Sequence, residues 1–378
     1  SILPFSYGGS NGILTQDTTD ARLFYRLGAS RLARTVCAAP SGRAAKGLNG
    51  KMAGIALPDY LHAKLIVVWG VNPQASGIHL VPILKEAQEK GATLVVVDPT
   101  RTSLAKRADF HLAPRPGTDL PLALAIHRHL FEEGKADWGF LNAHTTGAEE
   151  LRQRALPWTF EKAAVVTGVP AGDIERLARL YAEASPAAIR TGWGLERNRN
   201  GGSAVAAVIA LPAVAGKFGV RGGGYTLSNS GVWNVDRPAA IRELEPSTRE
   251  INMNHLGAVL TEDMDPPVKV LFNYNCNPLA TMPNAEKVRR GLEREDLFTV
   301  VFEQVWTDTA RYADLVLPAT TFLEHREASR GYGSYLMYRS DAVAAPAGEA
   351  RPNYEVFADL CDRLGLSRPD EPRTAAEL

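Results

Sequence analysis

The chain has 378 residues, 45% of them hydrophobic and 22% charged, which is typical of a soluble globular protein with roughly 100–200 residues per domain. Lys plus Arg and Asp plus Glu both number 42, so the net charge is zero, and non-specific nucleic-acid binding is disfavoured. The three cysteines, Cys37, Cys276 and Cys361, exclude a disulfide framework and a CxxC metal or iron–sulfur motif.

A strand–helix–strand pattern begins at a continuous apolar run. Residues 64–69 (KLIVVW) predict a strand buried on both faces, and residues 70–73 (GVNP) predict a turn. Residues 78–90 predict a helix that ends at Gly91, and residues 93–97 (TLVVV) predict the next strand. Such βαβ units build parallel sheets.

The middle of the chain continues the α/β pattern. Residues 119–133 and 171–183 predict helices, and 187–192 predicts a strand end. The apolar run 204–216 predicts a buried helix, because it is too short to span a bilayer. No signal peptide is visible, so we expect a cytoplasmic protein without a membrane span. The glycine-rich run 216–225 lacks the strand–GxGxxG–helix context, and we interpret it as close backbone packing or a link between domains.

A second βαβ pattern repeats the first at a constant offset of 205 residues. Residues 268–273 predict a strand, 275–278 (NCNP) a turn, 284–295 a helix and 297–302 a strand. Shared strand and helix lengths alone would explain the hydrophobic matches. They do not explain the positions that recur at the same offset, which are Asn72-Pro73 with Asn277-Pro278, Asp98 with Glu303, Thr102 with Thr307, and Ala108-Asp109 with Ala313-Asp314. We therefore predict an internal duplication.

Candidate ligand-binding segments follow the predicted strands. In open α/β sheets ligands bind beyond the carboxyl ends of the strands, where the segments 70–73, 98–102, 275–278 and 303–309 fall. Their backbone N–H groups suit phosphate, and an acid after the second strand, Asp98 or Glu303, suits ribose hydroxyls. Turn formation and helix capping are the alternative explanation.

Two further places combine turns with reactive or charged groups. In 114–119 (PRPGTD), Gly117 allows a tight turn, while Thr118 and Asp119 suit either helix capping or a guanine edge. A basic cluster there forms either a solvated face or an anion site; it consists of Arg101, Lys106, Arg107 and Arg115. Cys37 is either a small core residue or, beside Arg34 and Arg43, a thiolate site.

Taken together, these motifs resemble the molybdopterin oxidoreductases of the dimethyl sulfoxide reductase and formate dehydrogenase superfamily. The resemblance covers nearly the whole chain, and the order and spacing of its segments are specific. Those segments are 2–12 (ILPFSYGGSNG), 22–37 (RLFYRLGASRLARTVC), 69–73, 97–119, 192–224, 274–278 and 302–324.

The resemblance implies molybdenum or tungsten held by two pterin guanine dinucleotides, one for each repeat. Cys37 matches the position at which the family supplies a Ser, Cys, selenocysteine or Asp ligand to the metal, and a soft thiolate suits that metal. Gly117, Thr118 and Asp119 match the guanine-recognition turn. Other positions match cofactor loops: Gly70, Asn72, Pro73, Asp98, Thr100, Gly194, Asn275, Asn277, Gln304, Thr307 and Thr309.

The chain also departs from the family pattern. The cysteine-rich segment that binds a [4Fe–4S] cluster, and the closing domain at the other end, have no counterpart in this sequence. We therefore expect the chain to be the central region of a longer protein, incomplete and inactive alone. Ala38 follows Cys37 where formate dehydrogenases have His, which disfavours formate as substrate.

The resulting prediction is an α/β fold of two doubly wound, mostly parallel-sheet Rossmann-like lobes. One lobe is 34–224 and the other is discontinuous, 1–33 plus 225–378. The implied function is two-electron oxygen-atom or hydride transfer at the metal, with a small-molecule substrate and an electron-transfer partner carrying electrons through the iron–sulfur cluster. The alternatives are a scaffold subunit of a respiratory dehydrogenase that has lost the metal site, and a plain nucleotide-binding protein.

Overall fold

The computed structural model describes residues 1–8, 12–233 and 235–378, with the backbone alone at Ala239. Gly9, Ser10 and Asn11 of the 2–12 motif therefore lie outside the described residues. The chain divides into two compact units. The central unit contains residues 38–233 and 332–335, and the flanking unit contains residues 1–37, 234–331 and 336–378.

The strands and helices alternate along much of the chain. The strands are β1 (Ile2–Ser6), β2 (Arg31–Ala33), β3 (Leu65–Trp69), β4 (Thr93–Val97), β5 (Phe110–Leu112), β6 (Ala187–Thr191), β7 (Gly224–Thr226), β8 (Glu250–Asn252), β9 (Val270–Tyr274), β10 (Phe298–Glu303), β11 (Leu315–Pro318), β12 (Glu327–Arg330) and β13 (Met337–Ser340). The helices are α1 (Thr19–Arg26), α2 (Ala39–Asn49), α3 (Pro73–Ser76), α4 (Leu80–Glu89), α5 (Asp119–Glu132), α6 (Trp138–His144), α7 (Ala148–Ala155), α8 (Phe160–Thr167), α9 (Ala171–Glu183), α10 (Gly201–Val214), α11 (Arg237–Ile241), α12 (Leu256–Thr261), α13 (Pro278–Thr281), α14 (Ala285–Leu292) and α15 (Asn353–Arg363). Short 3₁₀ turns lie at Leu57–His62, Met253–His255 and Thr309–Tyr312.

The central unit is built on a parallel sheet with strand order β5-β4-β3-β6-β7. Alternate residues of β3 enter two different cores, because successive side chains of a strand point to opposite faces. Val67 and Trp69 pack with α5, α9 and α10, whereas Ile66 and Val68 pack with α4 and the turn at 57–62. The sheet is therefore covered by helices on both faces, as the continuous apolar runs predict.

The flanking unit contains a parallel sheet with strand order β1-β9-β10-β11. One face carries Leu3, Phe5 and Leu271 against α12 and α14. The other face carries Phe272 and Phe302 against α1 and α15. Both units are therefore doubly wound α/β layers, and the predicted fold class is confirmed.

The predicted duplication is present at the level of secondary structure. In each repeat a strand, a one-turn helix, a longer helix, a second strand and a third strand begin at positions that differ by 205: β3 and β9, α3 and α13, α4 and α14, β4 and β10, β5 and β11. The strand registers share the offset too, since Leu65 pairs with Thr93 and Val270 pairs with Phe298.

One side-chain contact recurs at equivalent positions of the two repeats. Leu94 N–H donates to Asp109 Oδ2 at 2.8 Å, and Thr299 N–H donates to Asp314 Oδ2 at 2.7 Å. Each aspartate directly precedes the third strand of its repeat and binds the backbone of the second strand, so it fixes the start of the third strand beside the second. The aspartate that recurs in the sequence therefore has the same structural task in both repeats.

The glycine-rich run 216–225 serves close backbone packing, one of the two interpretations that its sequence allows. A Cβ atom on Gly223 would lie 2.4 Å from Lys217 O, and one on Gly54 would lie 2.1 Å from Tyr225 O. Within the described part of the chain, no helix has the length and apolar character needed to cross a membrane.

Candidate functional site

The carboxyl ends of β3 and β9 carry the same turn. Gly70 and Asn275, the first residues after the strands, both have left-handed φ values, +63° and +58°. Asn72 and Asn277 then adopt nearly equal angles, with φ −110° and ψ 87° for the first, φ −114° and ψ 80° for the second. The glycine or asparagine that this left-handed position favours is present in both repeats. The predicted NP turns therefore lie where the sequence places them, at equivalent strand ends.

The two turns differ in how their asparagine side chains are satisfied. Asn277 Oδ1 accepts from Thr309 Oγ1 at 2.7 Å and from Thr309 N–H at 3.2 Å, and Thr309 Oγ1 accepts from Leu279 N–H at 3.1 Å. In the first repeat, Leu104 occupies the position equivalent to Thr309. Asn72 Oδ1 is consequently buried without a hydrogen-bond partner among the described residues. Thr309 thus satisfies the side-chain oxygen of Asn277 in the flanking unit. In the central unit the side-chain oxygen of Asn72 has no partner among the described residues.

Replacing Thr309 with valine should destabilise the flanking unit by about 1–3 kcal/mol. Valine keeps the shape of the fully buried side chain but leaves Asn277 Oδ1 and Leu279 N–H without the hydroxyl partner. Urea denaturation of the variant measures the loss. The matched control is Thr307→Val, which removes only a hydroxyl that accepts from Ala310 N–H at 3.2 Å and should cost less. Equal losses in the two variants would contradict this account.

The predicted acids lie at the ends of the second strands. Asp98 Oδ1 accepts from Thr100 N–H, and Glu303 Oε1 accepts from Gln304 N–H, both at 2.8 Å. Burial raises the pKa of Glu303. Each carboxylate thus uses one oxygen in its own turn, and among the described residues its second oxygen accepts no hydrogen bond. Gln304 itself is held by a bond from its Nε2 to Thr320 O at 3.0 Å.

The 114–119 turn places its residues differently from a simple helix cap. Thr118 is the N-cap of α5 but makes no side-chain capping bond, and its Oγ1 donates to Arg115 O at 2.6 Å. Asp119 Oδ1 accepts from Trp69 Nε1–H at 2.8 Å, and burial raises its pKa. Gly117 has φ +83°, which favours glycine. Asp119 is thus fixed by β3, and the capping interpretation is wrong for Thr118.

The basic cluster of the sequence is exposed. Arg101, Lys106 and Arg107 lie on the surface, and Arg115 donates to Val165 O at 3.1 Å. Arg115 therefore binds carbonyls in the last turn of α8. The solvated-face interpretation is the one that the structure supports for this cluster.

Three glycines allow two backbone segments to touch at the end of β3. A Cβ on Gly194 would lie 2.7 Å from Gly70 O, and one on Gly192 would lie 2.3 Å from Val71 Cβ. A Cβ on Gly70 would lie 2.0 Å from Leu195 Cδ1. Gly194 N–H donates to Gly70 O at 3.1 Å, so the contact is also hydrogen-bonded. Gly70 and Gly194, both predicted site residues, join the ends of β3 and β6.

Cys37 lies between β2 and α2 and is half-buried. Its N–H donates to Tyr7 Oη at 2.6 Å, a contact with the end of β1. The neighbouring Arg34 donates to Asp17 Oδ1 at 2.8 Å and to Ser6 Oγ at 2.7 Å. Asp17 also pairs with Arg237, so one carboxylate is shared by two guanidinium groups, and the electropositive setting near Cys37 stays a prediction.

The other two thiols differ from Cys37. Cys276 Sγ donates to Asn273 Oδ1 at 3.2 Å, and burial raises its pKa to about 12. Cys361 is 1% exposed in the core formed with α1, and burial raises its pKa as well. Cys361 is a core residue, as the sequence predicts, whereas Cys276 is half-buried and packs against the core of the flanking unit.

Cys37 should react with a thiol reagent before Cys276 and Cys361. Burial raises the pKa of Cys276, so little of its thiol is in the reactive thiolate form at pH 8. Alkylation of the native protein with iodoacetamide, followed by peptide mass spectrometry, gives the order of labelling. Labelling in denaturant is the control, because all three cysteines should then react alike. Faster native labelling of Cys276 than of Cys37 would contradict the assignment.

Some residues of the site are not apparent from the sequence. Tyr7 reaches Cys37 across a separation of 30 residues, and Glu196 reaches the first turn of α2 by accepting from Ser41 N–H at 2.9 Å. Glu196 lies two residues after the 192–194 motif, and this proximity is the sequence feature that could have identified it as a site residue. Across residues 1–8, 12–233 and 235–378 the structure holds no group of three or more His, Cys, Asp or Glu side chains placed to bind a metal ion.

The chain is similar to known proteins over most of its length. The family model described as molybdopterin oxidoreductase matches residues 13–363. Probable oxidoreductase YoaE of Bacillus subtilis (strain 168) is 41% identical over 372 residues, 97% of this chain and 54% of the relative. Dimethyl sulfoxide reductase DmsA of Escherichia coli (strain K12) is 29% identical, with 89% of this chain and 47% of the relative covered. The chain thus spans about half the length of these relatives.

The fold has a solved counterpart. Acetylene hydratase from Pelobacter acetylenicus superposes with a TM-score of 0.79 at 23% sequence identity. The match covers 97% of this chain and 55% of the hydratase chain. At this identity the similarity concerns the fold.

Proposed function

Because the chain belongs to the molybdopterin oxidoreductase family, we propose that it is the catalytic region of a molybdenum or tungsten oxidoreductase with two bound pterin guanine dinucleotides. The observation that carries the proposal is the repeated strand-end turn, with Asn72 and Asn277 at equivalent positions. Two equivalent turns fit two similar ligands, which a single-dinucleotide protein would not require.

The described residues fit such a cofactor. Asn72 Oδ1 is an unpaired acceptor beside the Gly70–Gly194 contact, where a Cβ on either glycine would collide with protein atoms. A site with both features offers a ligand a hydrogen-bond acceptor, and no side chain projects from its two glycines. The half-buried Cys37 thiol is a soft ligand, which suits a metal that already carries dithiolene sulfurs.

Each group then has a defined task. The turns at Asn72 and Asn277 present backbone and amide groups to a phosphate-bearing ligand, and Asp98 and Glu303 accept from ribose hydroxyls. Other cofactor loop residues support these turns: Pro73, Thr100, Asn275, Gln304, Thr307 and Thr309. Gly117 and Thr118 shape the turn in which Asp119, held by Trp69, accepts from the adjacent N–H groups of a guanine.

Cys37 is proposed as the protein ligand to the metal. Its Sγ would give up the thiol proton on binding, since the thiolate is the metal-binding form. The Tyr7 hydroxyl, which accepts from Cys37 N–H, holds the backbone of the ligand in place. When bound, the cofactor supplies two-electron redox chemistry, with oxygen-atom or hydride transfer to or from a small molecule. A [4Fe–4S] cluster in an N-terminal segment of the longer protein would pass the electrons to or from an electron-transfer protein or subunit.

Metal and nucleotide analysis of the natural protein that carries this chain tests the proposal. We expect molybdenum or tungsten, with two guanine nucleotides released by acid for each metal ion. Nucleotide without metal would instead support a plain nucleotide-binding protein, and neither would support a scaffold subunit. Either of these two results would overturn the proposed catalytic function.

A further inference from the structure

Arg190 is a half-buried cation near the carboxyl edge of the central sheet. It is the penultimate residue of β6 and pairs in register with Val68 of β3. Its strand lies between β3 and β7, and Thr191 is the last residue of the strand. Ligands of open α/β sheets bind at this edge. The position therefore places a guanidinium where a ligand would bind.

The hydrogen bonds of Arg190 use one nitrogen of its guanidinium. Nη1 donates to Thr191 O at 2.6 Å, to Thr226 O at 3.1 Å and to Leu227 O. Among the described residues, Nε and Nη2 donate to no protein atom. These two nitrogens form one side of the planar fork, and such a side binds a carboxylate or another oxyanion through two parallel hydrogen bonds.

The charge of Arg190 is not compensated by an acid. Within the described part of the chain no carboxylate lies within 4.0 Å of its guanidinium, whereas Arg26 pairs with Glu371 and Arg34 pairs with Asp17. Burial lowers the pKa of Arg190. Carbonyl dipoles stabilise a cation but do not neutralise it, and a buried charge without a counter-ion is costly. An anionic ligand would remove that cost.

Two tyrosines lie near enough to Arg190 to interact with its charge. The hydroxyl groups of Tyr60 and Tyr332 interact electrostatically with Arg190. Tyr332 packs edge-on against Trp193, with 6.1 Å between ring centroids, and is 62% exposed. Trp193 lies between Gly192 and Gly194 of the strand-end contact. An exposed aromatic side chain, Tyr332, therefore lies in the neighbourhood of Arg190.

We propose that the open Nε–Nη2 side of Arg190 binds an oxyanion, with Tyr332 and Trp193 beside it. Two sources share this chemistry, a small inorganic oxyanion acting as substrate and a phosphate of a bound dinucleotide. The inference deepens the proposed function, because the first source gives the reaction a substrate class. The binding step itself requires no redox chemistry.

Isothermal titration calorimetry of the natural protein with sodium nitrate and sodium sulfate, at constant ionic strength, tests the inference. Arg190→Lys keeps the positive charge and loses the planar fork, and Arg190→Gln loses both. Arg221→Lys is the matched control, because Arg221 is an exposed arginine of the same unit that pairs with Asp59 at 3.0 Å. Acid-released guanine nucleotide and metal are measured for every variant.

We expect the affinity for at least one anion to fall about tenfold or more in both Arg190 variants and to stay unchanged in Arg221→Lys. If nucleotide content stays constant, the source is a small oxyanion. If nucleotide content falls in both Arg190 variants instead, the source is a dinucleotide phosphate. Unchanged anion affinity together with unchanged nucleotide content would overturn the inference and leave Arg190 as a link between β6 and β7. Anion binding through Arg190 in a protein without metal would reject the proposed function alone.

Discussion

Replacing Cys37 with alanine in the natural protein that carries this chain is expected to lower turnover by more than about 100-fold while the fold is retained. Loss of a residue that merely supports a metal ligand costs about 10–100-fold, so loss of the ligand itself should cost more. The side chain is half-buried, so removal of one sulfur atom leaves little cavity. Turnover and the electron paramagnetic resonance spectrum of the metal are measured together, since a changed ligand alters both.

Two control variants distinguish ligation from packing. Cys361→Ala removes a sulfur from the core around Phe357 and should lower stability by about 1–2 kcal/mol with turnover retained. Cys37→Ser offers an oxygen ligand and should keep the metal with an altered spectrum. Wild-type turnover and an unchanged spectrum in Cys37→Ala would exclude a metal-ligand role for Cys37.

Replacing Gly194 with alanine is expected to destabilise the central unit by about 2–3 kcal/mol. The new Cβ would lie 2.7 Å from Gly70 O, and the obstacle is backbone, which no rotamer change can move. The bond from Gly194 N–H to Gly70 O would lengthen, and the ends of β3 and β6 would separate. Guanidinium denaturation measures the stability. If the proposed function holds, bound nucleotide should fall at the same time.

The matched control for this variant is Gly172→Ala in α9. A Cβ at Gly172 meets no atom within 4 Å, and alanine favours a helix over glycine by up to about 1 kcal/mol. That variant should be neutral or stabilised. A Gly194→Ala protein as stable as the Gly172→Ala protein would show that the backbone contact can relax.

The sequence predicts the parallel strands well because their residues are buried on both faces. The runs 64–69 and 93–97 are rich in Val, Ile and Leu, and they match β3 and β4 closely. The recurring Asn-Pro turns and aspartates likewise identify the repeat, since each of these residues acts within its own unit. The edge strands β5 and β11 are three and four residues long, too short to show periodicity.

The hydrogen-bond and ion-pair partners of individual side chains could not be predicted from sequence. Thr118 precedes a helix and is a preferred capping residue, yet its hydroxyl binds Arg115 O instead. The charge of Arg34 beside Cys37 suggests an electropositive site, and the sequence does not show that Arg34 and Arg237 share the carboxylate of Asp17. Local sequence shows which groups are present, whereas the fold decides which partner each group meets. For the same reason, the sequence does not show that Tyr7 contacts Cys37, or that Arg190 has no acidic partner among the described residues.

The pairing of β1 with β9 has a consequence for the order of folding. It joins Ile2 to Val270, so the addition of β1 to the flanking sheet closes a very long loop of chain. The entropy cost of that closure must be overcome before β1 gains its contacts with the sheet. The strands of the central sheet all lie between Leu65 and Thr226. During synthesis on the ribosome those strands are complete before β9 has been made. β1 is therefore made long before its partner β9, and a strand that lacks its partner for that time is open to aggregation or to binding by a chaperone.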